Sequence, residues 1–230
     1  DKKQLAEAEK IKRKEAAEKL LHKGVTLADP TRIDVRGNLV CGKDVFIDVN
    51  VVFEGDVSIA EGAIIGPHSV ISNSTIGRYT KILSHCNLEH AVVGNDCSVG
   101  PFARLRPGTE LMDSARAGNF VEIKKSQIGQ QSKVNHLSYV GDAVVGKEVN
   151  IGAGTITCNY DGANKHQTII EDNVFIGSGV ELVAPVAVKE GATIGAGSTI
   201  TKQTPKNKLT LERARQKTIP NWKRPKNKTT

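Results

Sequence analysis

An aliphatic residue returns at every sixth position along most of this chain, and that beat restricts the fold more than any other feature. It runs through Val45, Val51 and Val57; Ile59, Ile65 and Ile71; Ile76, Ile82 and Leu88; then Val93, Val99, Leu105, Leu111, Ala117 and Ile123; then Ile128, Val134 and Val140; then Val145 and Ile151. It resumes at Ile170 and continues through Ile176, Leu182, Val188, Ile194 and Ile200. The count slips by one residue at most turns. Gly, Asn or Asp often follows the aliphatic residue, as in IGPHSV, VGNDCS, IGAGTI and IGSGVE. A helix demands a period of 3.6 and a half-buried strand a period of 2. A beat of six sustained over about 160 residues fits neither. It fits a solenoid in which each hexad makes one short strand and one turn, and three hexads close a triangular coil of about 18 residues.

Such a prism has a thin interior. The composition agrees: of 230 residues 38% are hydrophobic but only 4% aromatic, so the core is aliphatic. Corners call for small or turn-forming residues. Parallel strands pair from coil to coil. The repeat establishes the fold class, an all-β solenoid, and says little about chemistry by itself.

The rest of the composition narrows the function classes. No 18-residue apolar run is available to cross a membrane, and residues 1–20 are charged throughout, unlike a signal peptide. A cytoplasmic protein is expected. Cys41, Cys86, Cys97 and Cys158 form no CxxC pair and read as reduced thiols. The chain starts at Asp1, which suggests a fragment or a processed product. The net charge of +7 is concentrated in the tail, where residues 202–228 hold ten Lys/Arg against one Glu. No nucleic-acid module accompanies that tail. Folding back onto an acidic body or a polyphosphate ligand suits it better than binding nucleic acid.

Three segments follow. Residues 1–24 are a helical connector, with Leu5, Ala8, Ile11, Ala16 and Leu20 marking one face of a helix over 1–22, ended by Gly24. Residues 25–204 form the prism, with a turn at Asp29-Pro30, and residues 205–230 an irregular basic tail. One interruption stands out. TCNYDGANKHQ, residues 157–167, carries no beat and should project from a prism edge as a loop. Two more stretches are polar beyond what turns need: GPFARLRPGTEL (100–111) and GNFVEIKKSQIGQQSKVNHLSYVGD (118–142). In the latter, His136 lies among Asn135, Ser138 and Tyr139. A core histidine is commonly just a satisfied polar group, but an imidazole among polar residues also suits proton removal from an amine.

Taken together, GPFARLRPG, GNFVEIKKS, HLSYVGD, NIGAGTITCNYDGANKHQT and FIGSGVELVAPV resemble the acetyltransferase half of the bifunctional bacterial N-acetylglucosamine-1-phosphate uridylyltransferase/glucosamine-1-phosphate acetyltransferases. The likeness covers about residues 20–224. It implies a left-handed parallel β-helix, a hand that spacing alone does not give and that the general crossover rule would reverse. It also implies a homotrimer with active sites between neighbouring prisms. The reaction it implies is acetyl transfer from acetyl-CoA to the 2-amino group of glucosamine-1-phosphate, without a metal, for UDP-N-acetylglucosamine and cell-envelope synthesis.

By the same resemblance His136 is the general base. Arg106 and Lys124 bind the sugar phosphate, Lys165 reaches it from the insertion, and Tyr139 and Asn150 hydrogen-bond the same substrate. Arg104 and Lys125 remain ordinary surface charges. Glu122, on the strand face of Lys124, has a weaker role near the amine or in orienting its partners. The Ala153 amide faces the thioester as an oxyanion donor. Asn159 and Tyr160 contact acetyl-CoA, and the inserted arm can cover a neighbouring subunit's cleft. Ser178 and Ala196, each two residues past a beat, stack along one edge and present their backbones to the pantetheine arm. Arg213 meets a coenzyme A phosphate, although LERARQ also offers Arg215. The nucleotide-binding domain of the family has no counterpart here, so uridylyl transfer is not expected of this chain.

Two rivals remain. A zinc hydratase of the γ-carbonic-anhydrase type would use the HxxxxH pair His85 and His90 with His68. A trimeric scaffold would need the repeat alone. Among acyltransferases, a different acceptor is opposed only by the phosphate-clamping residues.

Overall fold

The computed structural model describes residues 1–224, so the end of the expected basic tail, 225–230, lies outside the described residues. One helix, Lys2–His22, precedes a three-sided parallel β-prism. The first face is an 11-stranded sheet from Thr26–Leu27 to Leu209–Thr210. A 17-stranded sheet supplies the second and third faces, because Ile33–Cys41 and Val51–Ile59 each run nine residues around the corner between them. The architecture is the left-handed β-helix of hexapeptide repeats.

Register fixes the coil length. On the first face Phe46 pairs with Ile64, Ile64 with Lys81, Lys81 with Ser98 and Ser98 with Arg116, steps of 18, 17, 17 and 18. The slips in the beat are these 17-residue coils. Five hydroxyls serve them: Ser69, Ser74, Thr80, Ser126 and Ser132 each accept the N–H of the residue seventeen positions on. A buried amide that a shorter coil carries past its carbonyl is thereby satisfied.

Every beat residue read from the sequence is buried, but the phase of the first coil needs correction. Val45, Val51 and Val57 are inward neighbours of the true stack, which passes through Ile47, Phe53 and Ile59. Both positions i and i−2 of each short strand point inward, so either set repeats every six residues. A second correction concerns the interruption. Thr157 is 1% exposed and pairs with Leu182, so it is a beat residue in polar form. Its hydroxyl bonds both the N–H and the carbonyl of Gly141. Cys158 belongs to the same strand, and the insertion proper is residues 159–167. It lengthens the step from Asn150 to Phe175 to 25 residues.

The ends also differ from expectation. The helix buries only Ala17 and Leu20, while Leu5 and Ile11 are 60% and 58% exposed. Its last turn packs against Thr26–Leu27 and Ile33–Cys41, and its first half extends into solvent. It closes as expected at Gly24, with Gly24 N–H donating to Leu21 and Val25 N–H to Leu20, a Schellman pattern. Asp29 closes the following turn, its carbonyl accepting from Arg32. At the other end Leu209–Thr210 pairs with Thr193–Ile194, so strand pairing runs past residue 204 into the basic segment. The four thiols are free, and burial pushes Cys41 up to about 12 and Cys86 and Cys97 to about 11. Among the described residues no helix is long and apolar enough to cross a membrane.

Candidate functional site

Corner residues stack in columns. Along the edge between the first and second faces the rings of His68, His85, Phe102 and Phe120 lie face to face at 4.9, 4.8 and 5.2 Å. Exposed Leu137 extends this ridge by one coil. The same corner is then held by Gly154, Gly179 and Gly197, and a Cβ added at either of the last two would meet nothing within 4 Å. A ridge of rings thus gives way to a smooth gutter.

Beside the change stands His136. It pairs in register with Asn119, and its Nδ1 lies 2.6 Å from Asn119 Oδ1. Below it the backbone steps from coil to coil: Gly154 N–H donates to His136, Gly179 N–H to Ala153, and Gly197 N–H to Ser178. Ala153, Ser178 and Ala196 therefore form one column under His136, as their spacing predicts. Their own N–H groups have no backbone partner among the described residues. At a strand separation of about 4.8 Å, the column spans about 14 Å from His136 to Ala196. At its foot the Arg213 guanidinium donates to the Ala196 carbonyl at 2.9 Å. Arg215 makes no hydrogen bond among the described residues.

The second face carries the charges. Strands Arg104–Leu105, Glu122–Lys124 and Tyr139–Gly141 lie side by side, with Arg104, Glu122 and Tyr139 in one column and Lys124 beside Gly141 in the next. Glu122 accepts from Arg106 at 2.8 Å, both half-buried. Among the described residues it makes no other side-chain hydrogen bond. The Tyr139 ring lies across Gly141, where any added Cβ would collide with its phenol oxygen. This puts the hydroxyl on the Lys124 side of the face.

The arm, residues 159–167, leaves the edge between the second and third faces. Asn159 is buried at its root, with its amide donating to Asp142 at 2.5 Å. Asp161 organises the tip: it accepts from the Ala163 and Asn164 amides and from His166 Nε2 at 2.8, 2.6 and 2.6 Å. These bonds hold its carboxyl well below the usual carboxylate range. The arm turns back on its own prism. Lys165 stands close enough to Lys124 that its charge, with burial and the Arg106 charge, lowers the Lys124 pKa from its ordinary value. Tyr160 is 59% exposed at the tip.

The expected residues therefore fall in four places. Arg106, Glu122, Lys124, Tyr139 and Lys165 share the second face. His136, Ala153, Ser178, Ala196 and Arg213 share the edge beside it. Asn150 stands apart on the first face between Lys133 and Phe175, and Asn159 and Tyr160 sit at the far edge. Sequence reasoning missed Asn119, although counting one coil back from His136 reaches it. The zinc alternative is unsupported: His85 is stacked between His68 and Phe102, while His90 stands near Asn73 at the edge between the second and third faces. No cluster of three or more His, Cys, Asp or Glu arranged for a metal occurs among the described residues.

Residues 38–73 and 167–202 match the bacterial transferase hexapeptide (six repeats). The chain is 61% identical over 222 residues to the bifunctional protein GlmU of Ralstonia pickettii, covering 96% of this chain and 49% of that one. It is 60% identical, with the same coverage, to the GlmU of Janthinobacterium sp., and spans about half the length of these relatives. Solved structures of UDP-N-acetylglucosamine acyltransferases share the fold: that from Francisella novicida has a TM-score of 0.59 at 15% identity, covering 81% of this chain and 67% of that one. That from Campylobacter jejuni has a TM-score of 0.60 at 16% identity, covering 81% and 71%.

Proposed function

Because this chain is homologous along 96% of its length to about half of the bifunctional protein GlmU, we propose that it transfers the acetyl group of acetyl-CoA to the 2-amino group of glucosamine-1-phosphate. The product, N-acetylglucosamine-1-phosphate, would feed UDP-N-acetylglucosamine and cell-envelope synthesis. The observation that carries the acceptor is the placement of Arg106 beside Lys124 on neighbouring strands of the second face, with Lys165 of the arm close enough to lower the Lys124 pKa. Like charges gathered this way call for an anion, and a sugar phosphate supplies it. Tyr139 adds a hydroxyl on the same side.

His136 removes a proton from the amine as its nitrogen attacks the thioester carbon. The Ala153 N–H, without a backbone partner, supports the carbonyl oxygen as it becomes negative. Collapse expels coenzyme A as a thiolate, which takes the proton back from His136. The gutter below, lined by the amides of Ser178 and Ala196 and closed by Arg213, suits an extended pantetheine arm ending in phosphates. Asn159 supports the arm through Asp142 and Tyr160 projects from it toward acetyl-CoA.

The reading places Asn150 on the sugar phosphate as well, yet Asn150 and Lys124 face different directions on one prism. A site that uses both takes them from two copies, which supports a homotrimer with shared sites. Acyl transfer of this kind asks nothing of a metal, and no nucleic acid is needed.

The test mixes the 230-residue chain with acetyl-CoA and glucosamine-1-phosphate and follows free thiol. Release should require the sugar phosphate and fall by about 100-fold or more in His136→Ala, the scale of general-base loss. Release that ignores the sugar phosphate, or survives in His136→Ala, rejects the reaction or its base. Sedimentation should give a trimer, and a fully active monomer would reject the shared site.

A further inference from the structure

We propose that Asn119 is the positioning residue of the base: it holds His136 as the Nδ1–H tautomer and so makes Nε2 the atom that accepts the amine proton. The inference rests on the acetyl-transfer reading, which needs a base but does not say which nitrogen acts.

Asn119 precedes His136 by one coil and pairs with it in register, so the two side chains leave neighbouring strands at the same corner. Asn119 Oδ1 and His136 Nδ1 are 2.6 Å apart. An amide oxygen only accepts, so the proton between them belongs to Nδ1. A neutral imidazole has one N–H, and the lone pair is then left on Nε2. The backbone of His136 is fixed as well, since its carbonyl accepts from Ser138 Oγ at 2.8 Å and from Gly154 N–H at 3.3 Å. No side chain other than Asn119 hydrogen-bonds the ring among the described residues.

The partner is an amide, not a carboxylate. It sets the tautomer and the ring plane without adding a negative charge that would favour the imidazolium. Glu122, a carboxylate on the adjoining strand face, is committed to Arg106. A base that must return its proton within one turnover is better served by a neutral partner. The proton balance closes. Nε2 takes the amine proton as the N–C bond forms, the ring carries both protons while Nδ1–H stays on Asn119, and Nε2–H passes to the departing thiolate. The starting tautomer is restored.

The test combines nitrogen-15 NMR of histidine-labelled protein with steady-state kinetics on three variants. In the wild-type chain the His136 resonances should report the Nδ1–H tautomer. Asn119→Leu should shift them toward Nε2–H and lower kcat about tenfold or more, with both KM values within about twofold. Asn119→Asp keeps an acceptor and should retain the Nδ1–H tautomer, with kcat between those of the wild-type chain and Asn119→Leu because its charge favours the imidazolium. A wild-type His136 in the Nε2–H form overturns the inference, and that measurement needs no variant to fold. Unchanged tautomer and kcat in Asn119→Leu also overturn it. An active His136→Ala would instead reject the acetyl-transfer base itself, so the two failures are distinguishable.

Discussion

Along the edge between the first and second faces, His136, Ala153, Ser178 and Ala196 follow one another at coil intervals, and what they offer is mostly backbone. Along the edge between the second and third faces the order is broken by residues 159–167, and what the arm offers is side chains, Lys165 and Tyr160 above all. Both edges border the same face. The first repeats one backbone arrangement at coil intervals. The second supplies groups that occur once. A repeat therefore suits an extended co-substrate, and an insertion suits a compact anionic one.

The widest separation of the two should come from removing residues 160–166 and closing the gap with a two-residue turn. We expect acetyl transfer to fall by at least about 100-fold, because the third cation is lost along with the arm's cover. Thermal unfolding should stay within a few degrees, since only Asn159 of the arm is buried. A large drop in Tm would mean that the arm also holds the prism together.

Next comes Lys165→Met. Loss of one charge-assisted contact should raise KM for the sugar phosphate about tenfold to 100-fold and leave KM for acetyl-CoA within about twofold. The pH dependence has a definite sign. Lys165 lowers the Lys124 pKa, so in the wild-type chain Lys124 loses its charge at a lower pH than an ordinary lysine, and the proposed phosphate binding should weaken there. In Lys165→Met that alkaline limb should move to higher pH. A depressed lysine pKa also costs fold stability while both states are protonated, a cost that disappears above the ordinary lysine pKa. Any Tm gain of Lys165→Met should therefore shrink as pH rises. An unmoved limb would show that the two lysines do not share a site.

Two threonines sharpen the contrast inside the prism. The Thr157 hydroxyl bonds both polar groups of Gly141. Thr157→Val should cost about 1–3 kcal/mol in chemical denaturation by leaving the Gly141 N–H unpaired. The Thr168 hydroxyl, where the chain re-enters the prism after the arm, is buried with no partner. Thr168→Val should be neutral or stabilising by about 1 kcal/mol. Equal losses in the two variants would contradict this difference.

Much of the prism was legible because one rule, six residues per strand and turn, is written about 25 times over. What escaped it were the places where two rules coincide. Val45, Val51 and Val57 keep the period of the stack yet lie two residues off its phase, and only coil-to-coil register separates the two. Thr157 keeps the phase but not the polarity, which made the interruption look longer than it is. The helix carries Leu5 and Ile11 at plausible spacing, but spacing cannot say where a partner surface ends. In the site, the cationic residues stood out because charge is expensive to gather. Asn119 did not, since an asparagine near a turn has a simpler explanation and its meaning depends on a residue seventeen positions away.

The helix at the start of the chain has one more consequence. Thr26–Leu27 and Ile33–Cys41 each find a strand partner on one side only, and an open row of amides and carbonyls is an invitation to another strand. The last helical turn lies against both strands, with Ala17 and Leu20 buried there. It works as a stopper. The same parallel pairing that lengthens the prism within one molecule could otherwise continue from molecule to molecule, and a helix turn laid across the first coil closes that end to a further strand.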